Sequence, residues 1–217
     1  MLAGSTGKHI AHRAGLGRPG ARREYDFSRR ALLVAAVPLP ALANAPRLKA
    51  GVFEPAQAAP EFALKASDGA DLNLARFRGK LVLLVFGFTL CPEVCPTTLA
   101  TLAQARKDMG AAAADVQVVY VTVDPERDDI ARIRQYLAAF DTSFVGGTDT
   151  PARLAEMRKR YGVVAQKIPK PQANAYGMNH STSVFLIDRT GKLRGMMPYG
   201  HEAKDFVHDL KLLLASK

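Results

Sequence analysis

The sequence predicts an α/β domain: a central mixed sheet with helices on both faces and a small β-hairpin on its N-terminal side. Three observations lead there. Leu81–Phe86 (L-V-L-L-V-F) and Val116–Val123 are unbroken apolar runs of strand length, the pattern of strands covered on both faces. Apolar stripes at helical spacing follow each run, so strands and helices alternate. The chain has 217 residues, 48% of them hydrophobic, which is enough for one such core and excludes wholesale disorder.

Residues 1–43 read as a basic leader, with seven Lys/Arg against Glu24 and Asp26. Within it, Arg29-Arg30 precedes the apolar run Ala31–Leu42, and small residues follow, the layout of a secretory signal peptide. Ala41-Leu42-Ala43 is the preferred cleavage site and Ala43-Asn44-Ala45 the alternative. The paired arginines after Ser28 resemble a twin-arginine export signal. A retained membrane span fits poorly, because the run is shorter than the roughly 20 residues a bilayer needs and Pro38 and Pro40 interrupt it. Export matters chemically, since thiols outside the cytosol are open to oxidation. Residues 44–60, rich in Ala and Pro, are expected to be a linker, and 61–217 the folded domain.

Within that domain, Glu61–Ala66 and Ala70–Leu74 form a hairpin around Asp68-Gly69. Leu81–Phe86 is the first buried strand. A cysteine loop follows, and Pro96 suits the first position of a helix whose buried face is Leu99, Leu102 and Met109. Val116–Val123 is the second buried strand. Ile130, Ile133, Leu137 and Phe140 mark another helix, with Asp128 and Asp129 at its favourable N-terminal end. Thr150-Pro151 caps and starts a third helix, striped by Leu154, Met157 and Tyr161 and stopped by Gly162. Ser183–Ile187 and Lys192–Met196 are strands joined by the turn Asp188–Gly191. Phe206, Leu210, Leu213 and Leu214 define the last helix. A strand, a cysteine turn, a helix, a crossover to a second buried strand and a late hairpin plus helix make up the thioredoxin layout.

The formal net charge is +10, about half of it in the leader. The basic residues elsewhere are interspersed with acids, which argues against nucleic acid as a partner. At most it supports peripheral attraction to an anionic membrane surface.

Chemistry concentrates at Cys91 and Cys95, the only two cysteines. C-P-E-V-C-P places them at the C-terminal end of a buried strand, where open α/β sheets bind ligands, and just before a helix N-terminus, which favours thiolate. The spacing is one residue wider than the redox motif C-x-x-C, so the sulfurs can diverge around an ion. Sulfur donors select Cu(I), Zn or clusters. Structural zinc wants four protein ligands, whereas after the leader only His180, His201 and His208 remain as nitrogen donors. Two sulfurs and one imidazole suit copper. An inert disulfide is the alternative, but so small a loop stabilises little. Spacing alone does not choose the histidine. His180 precedes a strand expected beside the cysteine strand and could reach the loop across the sheet end. His201 and His208 read as surface or capping side chains, and Met196 and Met197 as packing residues.

Phe86–Pro96 (F-G-F-T-L-C-P-E-V-C-P) closely resembles the signature of the SCO/SenC family. Val121–Asp128 (V-T-V-D-P-E-R-D) resembles its second block, and His180 with the following strand and turn its third. The likeness runs from about Pro60 to Ala215. It implies a thioredoxin-like fold that binds copper through Cys91, Cys95 and His180 and takes part in assembling the binuclear copper centre of cytochrome c oxidase. The implied partners are the copper-accepting oxidase subunit and other copper chaperones, and the implied address is the periplasm. Asp124 is expected either behind the metal site, as a supporting or weak extra ligand, or as a turn cap before Pro125. Asn179 departs from the family's usual Asp before the histidine, which removes a charge near the metal.

Redox state would gate such a site, since the dithiol binds metal and the disulfide does not. The same residues would serve a thiol–disulfide oxidoreductase, although no proline stands just before Ser183–Ile187, where catalytic thioredoxins carry one. A redox or copper sensor differs only in its partner. A peroxidase would need an activating surround that Pro92 and Pro96 do not supply.

Overall fold

The computed structural model describes residues 47–171 and 175–216. The expected export leader lies outside them. No described helix is long and apolar enough to cross a membrane.

The strands and helices follow the order β1 (Gly51–Ala58), β2 (Leu64–Ala66), β3 (Asp71–Leu72), β4 (Leu81–Gly87), α1 (Val94–Met109), β5 (Val116–Thr122), α2 (Ile130–Ala138), β6 (Val145–Thr148), α3 (Pro151–Arg160), β7 (Ala165–Pro169), β8 (Tyr176–His180), β9 (Val184–Ile187), β10 (Lys192–Met197) and α4 (Ala203–Ala215). Eight strands form one sheet in the order β1-β10-β9-β4-β5-β6-β2-β3, and β7 and β8 pair separately. The sheet is mixed: β4, β5 and β6 run parallel, while β9 joins β4 antiparallel.

Alternation along β4 divides the core. Leu81, Leu83 and Val85 face α1, α2 and α4 through Leu99, Leu102, Ile133, Leu137, Phe206 and Leu210. Val82, Leu84 and Phe86 face α3 through Leu154 and Met157. Helices therefore cover both faces, as the sequence predicts. The hairpin β2–β3 is present, shorter than expected, and β2 also pairs with β6, so it extends one sheet edge.

One expectation is corrected, and one strand is added. Residues 51–58 are a strand rather than linker, pairing antiparallel with β10. Its side chains are mostly exposed and its register shifts between Val52 and Gln57, across Pro55. An edge strand tolerates a proline, because one row of its N–H groups faces no neighbour. The added strand is β6, internal to the sheet, whose glycines hide it from the sequence pattern. A Cβ on Gly146 would lie 2.1 Å from Ile133 Cγ2, and one on Gly147 2.3 Å from Leu72 Cδ2. Close approach of α2 on one face and of the hairpin on the other demands glycine at both positions.

Candidate metal centre

β4 ends at Gly87, and the chain turns through Phe88–Glu93 into α1. Cys91 lies in that turn, half-buried, and Cys95 lies in the first helical turn, 2% exposed. Pro96 is the third helical residue rather than the first. That costs no bond, since none of the first four N–H groups of a helix has an internal partner. One of those groups, the Cys95 amide, points at Cys91 Sγ at 3.4 Å.

The expectation that the helix N-terminus makes both cysteines thiolates does not hold for Cys95. Burial pushes its thiol well above the ordinary cysteine value, a hydrogen bond with the Phe88 backbone acts against the shift, and the nearby Cys91 and Asp128 add to it. Cys95 is thus an enclosed thiol whose surroundings disfavour the thiolate. Both cysteines are free thiols in this structure.

His180 closes β8. Its Nε2 lies 3.6 Å from Cys95 Sγ, and its Nδ1 lies 2.7 Å from the Ser181 carbonyl oxygen. A carbonyl can only accept, so the proton belongs on Nδ1 and the free lone pair of Nε2 faces the sulfurs. Burial holds this imidazole below its ordinary pKa, with the Ser181 carbonyl acting against the shift. Phe88 presents its ring edge-on at 5.8 Å and walls the histidine in. The donor atoms of Cys91, Cys95 and His180 all lie within 4.8 Å of one another, a group able to hold a metal ion. The histidine comes from the separate hairpin β7–β8, which the sequence reading did not contain, rather than directly from β9.

Asp124 is not one of the converging groups. It is buried, and its carboxylate accepts the Tyr176 hydroxyl at 2.7 Å and pairs with Arg127. Its carbonyl closes the turn by accepting the Arg127 and Asp128 amides. The turn is therefore present, and the carboxylate is directed at the hairpin that carries His180 rather than at any of the three donors. Asn179 is exposed, so its lost charge is a surface change. His201 and His208 pair with Asp205 and Asp209, and Met197 is wholly buried in the core.

Asp128 is the residue that sequence reasoning misplaced. It is 1% exposed, and Asp129, not Asp128, caps α2. Its carboxylate accepts the Thr89 amide at 3.0 Å, the Thr89 hydroxyl at 2.6 Å and the Thr122 hydroxyl at 2.7 Å. It thereby pins the cysteine loop to the end of β5. Two adjacent aspartates before a helix need only one cap, and that surplus was the available signal.

The SCO1/SenC family profile matches residues 52–215. The chain belongs to the SCO1/SenC family. Among SCO relatives, the mitochondrial protein SCO2 homolog of Mus musculus is 32% identical over 158 residues, 72% of this chain and 62% of that protein. The chain spans roughly two fifths to two thirds of the length of the curated relatives it matches. A solved SCO structure, Bradyrhizobium japonicum ScoI with copper bound, is 32% identical, with a TM-score of 0.67 over 72% of this chain and 99% of its own. The apo Sco1 protein of Thermus thermophilus, also 32% identical, superposes with a TM-score of 0.71 over 78% of this chain and 99% of its own. The fold is thus the thioredoxin-like fold of the SCO proteins.

Proposed function

We propose that this protein is an exported copper carrier that takes part in assembling the binuclear copper centre of cytochrome c oxidase. The observation that carries the reading is the meeting of two sulfurs and one imidazole within 4.8 Å at one end of the sheet. Family membership and the copper-bound relative support it. On this reading Cys91 and Cys95 are thiolate ligands and His180 is the imidazole ligand. Three soft or borderline donors suit Cu(I) and leave the site short of a closed structural zinc shell. Copper here is cargo. Half-exposed Cys91 gives an acceptor subunit a sulfur to approach, and His180 is half-exposed as well, while buried Cys95 shields the inner side of the site from water.

Redox gating belongs to the same reading. Joining Cys91 and Cys95 in a disulfide removes two of three donors, so only the dithiol loads. The acceptor is the copper-receiving oxidase subunit, with other copper chaperones as sources. The periplasm, at the outer face of the inner membrane, is the compartment in which leader, thiols and acceptor would meet.

The test is to add copper to the reduced protein and follow the thiolate-to-copper charge-transfer band, in the wild type and in His180→Ala. A stoichiometric band that weakens or shifts in the variant is expected. A wild-type protein that retains no copper overturns the reading. Rapid turnover in an insulin disulfide-reduction assay would instead favour a thiol–disulfide oxidoreductase.

A further inference from the structure

His180 reaches the sulfurs from a sheet that is not the main one. β7 and β8 pair with each other, in a register running from Ala165 opposite His180 to Pro169 opposite Tyr176. That ladder sets the shape of the hairpin, not its place on the domain. At the His180 end, the Ser181 amide donates to the Val164 carbonyl at 3.0 Å, and the Val164 amide donates to the Ser181 hydroxyl at 3.1 Å. These bonds close the hairpin on itself. Met178 and Ala165 pack on the core, but apolar contact has no direction.

Apart from the contact of His180 Nε2 with Cys95 Sγ itself, the directed ties to the body lie at the far end of β8. The Tyr176 hydroxyl donates to Asp124 Oδ1 at 2.7 Å, and Arg127 Nη1 donates to the Tyr176 carbonyl at 3.0 Å. The Arg127 guanidinium sits 3.7 Å from the Tyr176 ring centre and the Lys167 ammonium 4.6 Å from it. Lys167 in turn pairs with Glu126. Asp124, Glu126 and Arg127 all belong to the short turn after β5. That same turn ends at Asp128, which holds Thr89 of the cysteine loop. One seven-residue stretch, Thr122–Asp128, therefore grips both halves of the donor cluster.

We infer that Tyr176 is a positioning residue for His180: clamped by Asp124 and Arg127, it sets the distance between the imidazole and the two sulfurs. The inference rests on the copper-carrier reading. Tyr176 and His180 are four residues apart on one strand, so their side chains share a face about 13 Å apart along it. A rotation of the hairpin about its core contacts moves the two ends together. With the clamp closed, Nε2 faces Cys95. With it open, the imidazole swings away and leaves a two-sulfur site, a weaker hold from which an acceptor can draw the ion.

The experiment is a double-mutant cycle on copper(I) affinity, measured against a chromophoric chelator, with Tyr176→Phe and Tyr176→Ala each combined with His180→Ala. Tyr176→Ala is expected to bind about 10-fold more weakly than wild type, the scale of loss for groups that orient a ligand, and Tyr176→Phe is expected to lose less. In the His180→Ala background neither change should weaken binding further, because the clamp acts only through that imidazole. The copper(II) form of Tyr176→Ala should also lose imidazole nitrogen hyperfine coupling in its electron paramagnetic resonance spectrum. Equal affinities of Tyr176→Ala and wild type would overturn the clamp alone. So would an additive loss in the His180→Ala background, which signals general destabilisation. A wild type without copper affinity overturns the carrier reading, and the clamp with it.

Discussion

Asp128 is a carboxylate with three donors and almost no water. Hydrogen bonds to a charged group exceed the neutral average, and a lost acceptor strands every donor it served. Asp128→Ala is therefore expected to cost about 3 kcal/mol, with the cysteine loop loosened because Thr89 is freed. Chemical denaturation of the reduced apo-protein gives the cost, and amide exchange at Thr89 reports the loosening. Gly87 is a second such position. A Cβ there would stand 2.8 Å from Tyr120 Oη and 3.0 Å from Cys95 Sγ. Tyr120 is fully buried and cannot swing clear. Gly87→Ala should cost about 1–3 kcal/mol through overpacking and displace the Cys95 sulfur. Copper affinity should fall with stability, which denaturation and chelator competition measure on the same sample. His180 adds a pH term. Burial depresses its folded pKa, so between that value and about 6.5, its ordinary value, the unfolded chain binds more protons than the folded one. Stability from this group is present above about pH 6.5 and is lost as pH falls through the folded pKa. His180→Asn should flatten that limb of the stability–pH curve in the apo-protein, and a limb left unchanged would show that the ring stays solvated.

At the scale of elements, much of the architecture could be read from the sequence, and the missed parts share a cause. β4, β5, α1 and α4 announce themselves by apolar runs or helical stripes, because each buries a whole face. β1 is mostly exposed and carries Pro55, so neither alternation nor composition marks it. β6 carries Gly146 and Gly147, chosen for the neighbours that crowd them and not for strand propensity. β7 and β8 bury little and leave no periodicity. The site follows the same division. Cys91 and Cys95 are legible because sulfur donors are rare and their spacing is tight. His180 was drawn from three histidines by likeness to a family, since its hairpin has no local signature. The anchoring of β1 was not legible at all. Asp209, buried on α4, accepts the Lys49 amide at 2.7 Å and the Ala50 amide at 2.9 Å, which ties the start of the domain to its last helix. Asp209→Ala should destabilise by about 2 kcal/mol and raise amide exchange first along β1. Protection that falls uniformly over the sheet would argue against this anchor.

For the molecule as a whole, an ion held by one loop and one distant hairpin couples binding to folding. Cys91 and Cys95 belong to the β4–α1 turn, His180 to β8, and the unfolded chain does not bring them together. A ligand that binds only the folded state adds stability by mass action, about 2.7 kcal/mol at a free concentration 100 times the dissociation constant. Under the carrier reading, Cu(I) should therefore raise the unfolding temperature of the reduced protein by several degrees, in step with free copper. Oxidised protein should show no such rise, since a Cys91–Cys95 disulfide leaves only the imidazole. The response should also depend on pH, because burial keeps the Cys95 proton in place and the metal must displace it. Proton release on loading, read as a buffer-dependent heat in titration calorimetry, is the matching measurement. A redox-independent shift would place the ion elsewhere on the protein, whereas a redox-dependent one with proton release ties fold, thiol state and cargo to the same three side chains.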